Sequence, residues 1–333
     1  MRDLIAGYWI SRMIYVAAKL NLADLLKKGP RTVEQLAEAA GVRPSALYRV
    51  MRTLASYGVF TEISGKRFAL TPLGQTLRTD VPATMRDFAL MLVEKHVWYA
   101  WEQLLYALQT GDLPFNKVYG MPFYKYLEAH PDDLKVFGES MTSLSSTENR
   151  AVAAGYQKAC KTAGVRTLVD VAGGLGSLLA MILKANPKLQ GVLFDVPAVI
   201  ARAQQDQHVT AKGIANRCTL VGGDFLQSVP EGGDAYIMKY ILHNWGDERC
   251  VTILSNCRTA MNPKGRVLVA DPVISTGNNP EWGKLLDIQM MVLLSGKERT
   301  KEEFRALFKK AGLELTRVIP TGCPLSIVEA VRA

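Results

Sequence analysis

Residues 167–185 read TLVDVAGGLGSLLAMILKA, and this stretch decides the fold. It begins with a short apolar run of strand length, continues into a loop rich in glycine, and ends in an apolar pattern of helical spacing. In open parallel sheets, ligands bind beyond the carboxyl ends of the strands, where such a loop meets a helix N-terminus. The stretch therefore predicts the first strand, the ligand loop and the first helix of an α/β domain.

The same alternation of strand, loop and helix continues towards the end of the chain. Short apolar runs that fit strands buried on both faces lie at 191–194, 218–221, 234–238 and 265–270. The last two runs, 314–319 and 326–331, are too close for a crossover helix, so the final strand must be antiparallel to its neighbour. The predicted fold class is α/β, with a Rossmann-like seven-stranded sheet whose last strand is antiparallel.

The N-terminal part of the chain has a different pattern. Residues 4–28 carry apolar side chains nearly all round a helix, which predicts a helix buried within this chain or against a partner chain. The elements expected next are helices at 32–40 and 44–57 and a hairpin of strands at 59–63 and 67–70. They describe a winged helix. Residues 84–160 are predicted to be helical as well, so this domain is mainly helical.

A winged helix and a net charge of +9 raise the alternative of DNA binding. Arg43, Arg49 and Arg52 on the second helix of the motif are the candidate contacts. However, the apolar residues Met51 and Leu54 indicate that much of that helix packs in the core, and the Lys and Arg residues are spread along the whole chain. A structural or dimerising role is therefore favoured, and no nucleic-acid partner is expected.

Length and composition exclude other classes of protein. A chain of 333 residues exceeds the usual size of a single core, which favours two globular units. Its apolar stretches are interrupted before the roughly 18 residues that a membrane span needs, and Asp3 lies where a secretory signal would be basic. Five scattered cysteines without a C-x-x-C pair indicate neither a disulfide framework nor a zinc site. We expect a cytoplasmic protein without a metal and without a membrane partner.

The loop after the first strand discriminates between ligands. A G-x-G-x-x-G fingerprint starting at Gly174 would need a glycine where the chain has Leu179, and no P-loop pattern is present. What remains is Asp170 followed by closely spaced glycines. This suits a ligand with an amino-acid moiety, because the carboxylate can engage an ammonium group while the glycines let the backbone approach the ligand.

Carboxylates also follow the next two strands. Asp195 is placed to accept hydrogen bonds from both hydroxyls of a ribose, although it could also be an ordinary N-cap before Pro197. Asp224 could accept a hydrogen bond from an adenine amine while Phe225 stacks on the ring. Three carboxylates at three successive strand ends on one edge of a sheet predict a single ligand site.

Five stretches of the chain are distinctive, namely DVAGGLGS at 170–177, FDVP at 194–197, GGDF at 222–225, MKYILHNWGDE at 238–248 and GKERT at 296–300. Together they resemble the small-molecule O-methyltransferases of the caffeate, acetylserotonin and hydroxyneurosporene type. The likeness covers nearly the whole chain, including the winged helix, which mediates dimerisation in that family. Ala172 departs from the pattern, since the family often has glycine there. The change costs little if the backbone angles at this position suit a residue with a Cβ.

The resemblance implies S-adenosylmethionine as the cofactor, S-adenosylhomocysteine as its product, a small-molecule acceptor and a homodimer. It divides the chain into a dimerisation domain at 1–80, a helical linker at 81–155 and a catalytic domain at 156–333. The implied cofactor-binding residues are Asp170, Gly173, Gly174, Gly176, Asp195, Val196, Gly223, Asp224, Phe225 and Lys239. The implied acceptor pocket lies between the domains and is formed by Phe137, Met141, Trp245, Met290 and Met291. These side chains predict a flat, largely apolar acceptor.

Methyl transfer to a phenol needs a base, because a phenol is a poor nucleophile until its proton is removed. Of the four histidines, only His243 follows a strand on the same edge of the sheet as the cofactor. The resemblance gives Asp271 and Glu298 the role of carboxylates that orient this histidine. For Glu298 the alternative is a helix N-terminal charge beside Thr300.

Three alternatives to O-methylation stay open. The acceptor atom could be carbon or nitrogen, or the chain could have lost methyl transfer altogether. The winged helix could serve a transcriptional regulator, which predicts salt-sensitive binding to duplex DNA. A nicotinamide oxidoreductase is disfavoured by Leu179.

Overall fold

The helices and strands below are those of a computed structural model, which describes residues 1–82, 84–160 and 164–333. The strands are β1 Arg31–Thr32, β2 Phe60–Ile63, β3 Arg67–Leu70, β4 Thr167–Val171, β5 Gln190–Asp195, β6 Cys218–Gly222, β7 Ala235–Lys239, β8 Arg266–Asp271, β9 Val273–Ile274, β10 Arg299–Thr300, β11 Leu313–Pro320 and β12 Ser326–Arg332. The helices are α1 Arg2–Ile5, α2 Gly7–Lys19, α3 Leu22–Leu25, α4 Val33–Ala40, α5 Pro44–Ser56, α6 Pro72–Gln75, α7 Arg86–Val93, α8 Lys95–Trp101, α9 Leu104–Thr110, α10 Pro114–Tyr119, α11 Phe123–Ala129, α12 Pro131–Cys160, α13 Ser177–Ala185, α14 Pro197–Ala203, α15 Gln207–Thr210, α16 Asp247–Ala260, α17 Trp282–Leu293 and α18 Lys301–Lys310. Short 3₁₀ turns lie at Ala215–Arg217 and Leu242–Asn244.

The chain groups into two units, one of residues 1–105 and 115–147 and the other of residues 106–114 and 148–333. No helix among the described residues is long and apolar enough to span a membrane. The predicted segment boundaries at residues 80 and 155 stay predictions.

Seven strands of the second unit form one sheet in the order β11-β12-β8-β7-β4-β5-β6. The strands β4 to β8 pair in parallel, whereas β12 runs antiparallel between β11 and β8. The carboxyl ends of β4, β5, β6, β7 and β8 therefore meet at one edge of the sheet. The predicted α/β fold class and its antiparallel last strand are confirmed.

The central strands are apolar on both faces because helices cover both. Leu168, Ile237 and Leu268 point into one core, which helix α13 covers with buried leucines. Their neighbours along the same strands, such as Val169 and Val267, point into the opposite core, which α16 and α18 cover. Each fully buried aliphatic side chain contributes about 1.5–3 kcal/mol relative to exposure. This double burial fixes the strand register and with it the positions of the strand ends.

The winged helix of the first unit has the predicted elements. Thr32 and Gln35 form the expected capping box at the start of α4, which ends at Gly41 in the left-handed conformation. Helix α5 and the hairpin of β2 and β3 follow, and β1 adds a third strand that the sequence did not predict. The first unit is mainly helical, as predicted.

The prediction of a single helix over residues 4–28 is wrong. Asn21 adopts a left-handed conformation with φ of 52°, and this residue separates α2 from α3. The N-terminal segment leaves large apolar side chains exposed in the single chain, namely Leu4 at 81%, Ile5 at 67% and Trp9 at 57%.

Candidate active site

The glycine-rich loop after β4 is shaped by close packing and by backbone conformation. A Cβ at Gly173 would lie 2.6 Å from the carboxyl of Asp170 and 2.5 Å from Leu193 Cδ1, so only glycine fits there. Gly174 and Gly176 have φ of 61° and 80°, which glycine adopts without a steric penalty. The loop can therefore follow the end of β4 tightly and expose its backbone to a ligand.

Ala172 differs from the expectation for its backbone. Its φ is 56°, in the left-handed region, where a Cβ crowds the following carbonyl oxygen and costs roughly 1–2 kcal/mol. The condition under which alanine would cost little is therefore not met. The loop contains a strained residue two positions after Asp170, a feature that often accompanies functional sites.

Asp195 ties the first two loops together. Gly174 donates its backbone N–H to Asp195 Oδ2 over 2.9 Å, and Val196 donates to Asp195 Oδ1 over 2.7 Å. Helix α14 has Val196 rather than Asp195 as its N-cap, so the interpretation of Asp195 as an ordinary N-cap is wrong. Burial raises the pKa of the Asp195 carboxyl. Both oxygens keep a lone pair for further donors, such as hydroxyls.

A cavity of about 270 Å³ opens beside Asp195. It is lined by Phe194, Asp195, Val196, Gly223, Asp224, Phe225, Leu226 and Trp245. Asp224 accepts a hydrogen bond from the backbone of Leu226, and the rings of Phe225 and Trp245 meet edge to face at 5.9 Å. A Cβ at Gly223 would lie 2.6 Å from the ring of Phe194. The cavity therefore combines an aromatic wall with two carboxylates, which suits a planar base attached to a polyol.

A polar chain links β7 to the glycine-rich loop. Lys239 Nζ donates to Asn149 Oδ1 over 2.7 Å, and Asn149 Nδ2 donates to Ser177 Oγ over 2.9 Å. Asp170 is 1% exposed, and burial raises its pKa to about 7, against the lowering effect of the Lys239 charge. Burial in turn lowers the pKa of Lys239. The carboxyl ends of the neighbouring strands β4 and β7 thus place a buried acid and a half-buried lysine where their charges interact.

His243 lies in the 3₁₀ turn after β7 and is 7% exposed. Its Nδ1 is 2.7 Å from Glu298 Oε1, and its backbone N–H donates to Asp271 Oδ2 over 3.2 Å. Asp271 ends β8, while Glu298 directly precedes β10, which pairs with β9 at Val273. The pairing of these short strands brings three distant parts of the sequence to one histidine.

The two carboxylates contact different parts of His243. Glu298 meets the imidazole ring, whereas Asp271 holds the main chain. Glu298 is also distinct from the cap of α18, because Thr300 and Glu303 form the capping box there. The interpretation of Glu298 as a charge at that helix terminus is therefore not supported by the hydrogen bonds.

Burial dominates the electrostatics of this cluster. It lowers the pKa of His243, although the charge of Asp271 opposes the change. Burial raises the pKa of Asp271 to about 6, and burial together with the charge of Asp287 raises the pKa of Glu298 to about 8. Near neutral pH the imidazole and Glu298 therefore compete for one shared proton.

The residues predicted for the acceptor pocket lie in both units. Phe137 belongs to the first unit, where it packs edge to face against Phe123, and Met141 lies on the same helix, α12. In the second unit, α17 carries Met290, which is buried, and Met291, which is half-buried. Trp245 lines the cavity together with Asp195 and Phe225. The assignment of these side chains to an acceptor stays a prediction.

Several polar residues of the site were missed by the sequence analysis. Glu148 accepts a hydrogen bond from the Tyr240 hydroxyl over 2.8 Å, and the Tyr240 ring lies 5.0 Å from that of His243. Tyr240 has φ of 56°, so the turn towards His243 is strained as well. Arg299 is 1% exposed. A signal for Glu148 was its place on an otherwise apolar face of α12, and for Arg299 its position next to Glu298.

The chain is similar in sequence to proteins of one family. Residues 101–314 match the family model of the O-methyltransferase domain, and residues 2–80 match that of the O-methyltransferase dimerisation domain. A phenazine O-methyltransferase of Lysobacter antibioticus is 41% identical over 98% of this chain and 94% of that protein. An 8-amino-8-demethylriboflavin N,N-dimethyltransferase of Streptomyces davaonensis is 33% identical over 96% of this chain and 91% of that protein.

A solved structure gives the same result. The crystal structure of CalO1, a methyltransferase of calicheamicin biosynthesis with S-adenosylhomocysteine bound, has a TM-score of 0.90 and 38% identity, and the match covers 100% of this chain and 97% of that one. Fold, loop and cavity together define an S-adenosylmethionine-dependent methyltransferase. The chain belongs to the O-methyltransferase family whose catalytic and dimerisation domains it contains.

Proposed function

We propose that this methyltransferase transfers its methyl group to a hydroxyl, of the phenolic kind, on a small and largely apolar aromatic or polyketide-like metabolite. His243 is the general base in this proposal. The observation that carries it is the 2.7 Å contact between His243 Nδ1 and Glu298 Oε1 at the carboxyl ends of the strands.

This contact has a chemical consequence for the other ring nitrogen. When Glu298 is ionised, it accepts a hydrogen bond from the N–H of Nδ1, and the neutral imidazole then carries its free lone pair on Nε2. A base of this kind removes the proton of a phenol as the new bond to oxygen forms. Glu298 also stabilises the imidazolium that results. In the proposal, Asp271 positions the histidine through its main chain.

The residues around the cavity fit the cofactor in this proposal. Asp195 would hold the ribose hydroxyls, Asp224 the adenine amine, and Phe225 the face or edge of the adenine ring. When bound, S-adenosylmethionine supplies an electrophilic methyl group on its sulfonium.

At the end of β4, Asp170 would hold the ammonium group of the cofactor, with the loop glycines at 173, 174 and 176 allowing a close backbone approach. Lys239 would tune the charge of Asp170. Val196 and Gly223 complete the walls. Because Trp245 lies against Phe225, we assign it to the cofactor side as well as to the rim of the acceptor site.

Phe137, Met141, Met290 and Met291 remain the proposed apolar contacts of the acceptor. Met and aromatic side chains suit flat apolar ligands. The named substrates of the relatives support this class, since a phenazine and a flavin are planar and polycyclic.

The decisive experiment compares the wild-type chain with His243→Ala on a panel of phenols, polyketides and indoles with labelled S-adenosylmethionine. The variant is expected to lose about a hundredfold or more of its turnover with a phenol, and to keep its affinity for the cofactor in calorimetry. His208→Ala is the matched control, since His208 is exposed and bonded to Asp206. Full turnover in the His243 variant would exclude the general-base role.

A second candidate is methylation of nitrogen, which the N,N-dimethyltransferase among the relatives favours. A neutral amine already carries a free lone pair, so it needs no base before it attacks the methyl group. His243→Ala should then keep its turnover with an aromatic amine while losing it with the matching phenol. The same pair of substrates therefore separates the two candidates.

We also propose that the chain is a homodimer through its N-terminal domain. The exposed Leu4, Ile5 and Trp9 support this, because a second chain would remove these large apolar side chains from water. Analytical ultracentrifugation should give twice the mass of one chain, and Ile5→Glu with Trp9→Glu should reduce it to one. Met51 and Leu54 on α5 are fully buried, so much of this helix packs in the core, and we expect no salt-dependent binding to duplex DNA.

A further inference from the structure

The turn that carries His243 is held by Arg299, a residue that has no role in the proposed chemistry. Arg299 Nη1 donates to the carbonyl of Leu242 over 3.1 Å, and Nη2 donates to the carbonyl of Trp245 over 3.0 Å. These two carbonyls lie on either side of His243 in the chain. One planar guanidinium therefore spans the turn and fixes both of its ends.

The guanidinium is itself anchored. Asp247 Oδ1 accepts from Arg299 Nε over 3.2 Å and from Nη2 over 2.8 Å. The thiol of Cys250 lies 3.3 Å from each of the two carbonyls that Arg299 binds. The pairing of β10 with β9 fixes the backbone of Arg299. A charged side chain that is 1% exposed is costly to bury, and these contacts satisfy it.

The chain just before Arg299 packs directly on the same turn. A Cβ at Gly296 would lie 1.8 Å from the carbonyl oxygen of His243 and 2.5 Å from the carbonyl carbon of Asn244. The short segment 296–299 thus makes three contacts with the turn that carries His243. Gly296 allows close packing behind the turn, Glu298 bonds the imidazole, and Arg299 fixes the main chain.

We propose that Arg299 is a positioning residue for His243, which holds the turn at residues 242–245 so that the imidazole faces the acceptor in one orientation. The proposal rests on the proposed function, since it matters for turnover only if His243 is the base. A fixed main chain matters because a shift of about 1 Å in a reacting group can cost on the order of a hundredfold in rate.

The charge of Arg299 adds an effect that geometry alone would not give. The charged or titratable groups that face His243 are Asp271 at the end of β8, Glu298 before β10, Arg299 in β10, Tyr240 in the turn after β7 and Glu148 on α12. The positive charge of Arg299 lowers the pKa of His243, and it also lowers the pKa values of Asp271 and Glu298. Removal of this charge should raise all three pKa values, so His243 would become competent as a base only at higher pH.

The test uses Arg299→Met and Arg299→Lys in the full-length enzyme, with an acceptor that the wild type methylates. For Arg299→Met we expect kcat to fall by about 10- to 100-fold, with unchanged cofactor affinity in calorimetry and an acid limb of the kcat profile at higher pH. Arg299→Lys keeps the charge without the rigid fork of donors. It should leave the acid limb in place with an intermediate kcat.

Arg217 provides the matched control within the same unit. Its guanidinium also binds backbone carbonyls, those of Leu183, Asn186, Leu189 and Gly213, at the opposite edge of the sheet. Arg217→Met should lower the urea midpoint of unfolding while kcat and its pH profile stay at wild-type values. This separates a loss of stability from a loss of positioning.

The outcomes distinguish this inference from the proposed function. If His243→Ala is inactive but Arg299→Met keeps the wild-type kcat and acid limb, Arg299 has no positioning role. If His243→Ala remains active, the general-base proposal fails first, whatever Arg299→Met does. Should Arg299→Met not fold, Arg299→Lys decides, because a wild-type kcat in that variant overturns the inference.

Discussion

The replacement of Glu298 by glutamine tests the catalytic cluster most directly. Glutamine has the same shape but no charge, and it can donate as well as accept hydrogen bonds. If its amide donates to His243 Nδ1, the imidazole proton moves to Nε2, and the lone pair needed for a base is lost. The buried setting of Glu298, which is 2% exposed, leaves no room for water to replace the carboxylate.

The size of the effect follows from the contact. A hydrogen bond to a charged group is worth about 1.5–3 kcal/mol, and each 1.36 kcal/mol corresponds to about tenfold. For a contact of 2.7 Å we therefore expect kcat to fall by about 10- to 160-fold at its optimal pH. Cofactor affinity should not change, because the contacts of Glu298 are with His243 and Asp287 rather than with the cavity.

The pH profile tests the assignment of Glu298 more sharply than the fall in kcat does. In the wild type the pair of His243 and Glu298 must lose its shared proton before Nε2 is free, and the raised pKa of Glu298, about 8, places this step above the ordinary range of a histidine. Activity should therefore rise with pH up to about 8. Of this pair only His243 titrates in Glu298→Gln, and burial lowers its pKa, so the acid limb should move to lower pH.

The assay is single-turnover methyl transfer from labelled S-adenosylmethionine, measured between about pH 5.5 and pH 9. This range extends about one pH unit below the ordinary pKa of a histidine and about one unit above the raised pKa of Glu298, about 8. The matched control is Glu302→Gln, because Glu302 is exposed and pairs only with the surface residue Arg305 among its described contacts. Wild-type turnover in Glu298→Gln, or a lower turnover with an unmoved acid limb, would refute the assignment of Glu298 to the imidazole.

Two further predictions concern the loop after β4. Ala172→Gly should relieve the left-handed strain and raise the free energy of unfolding by about 0.5–1 kcal/mol, as measured by urea titration. This value is the steric gain minus the entropy that glycine adds to the unfolded chain. A destabilised variant would show that Ala172 is not strained. For Asp170, whose pKa is raised to about 7 by burial, cofactor affinity should weaken as pH falls through that value, because the protonated acid no longer attracts an ammonium group. Calorimetry should show this dependence in the wild type and its absence in Asp170→Asn.

The sheet could be predicted from sequence because its strands are buried on both faces. Continuous apolar runs such as 191–194 leave few alternatives, and the short link between 314–319 and 326–331 forces an antiparallel pair. The N-terminal segment was harder for a physical reason. Its apolar side chains do not all face one core. In addition, the helix is interrupted at Asn21, which is left-handed, and no glycine or proline at that position indicates the break in the sequence.

The site could be predicted wherever a residue lies at the carboxyl end of a strand or shortly after it. Asp170, Asp195 and His243 all do so, and the sheet edge brings them together. Glu148, Asn149 and Arg299 could not be found in this way, because their contacts depend on how a long helix and a two-residue strand pack. Sequence spacing does not encode such contacts, and the backbone angle at Ala172 is likewise visible only in the fold.

The carboxylates around His243 explain why the turn needs so firm a frame. Asp271 and Glu298 each keep one buried oxygen without a hydrogen-bond partner among the described residues, and burial raises both pKa values. Folding must therefore hold two acids against their preference for water, at a cost that Arg299 partly offsets by its charge. Above the raised pKa of Glu298, about 8, the pair has lost its shared proton, and the carboxylate then stabilises the positive charge that the imidazole gains when it takes the proton of a phenol. The segment 296–299 therefore supplies both the frame that holds the turn of His243 and the carboxylate that stabilises the charged imidazole.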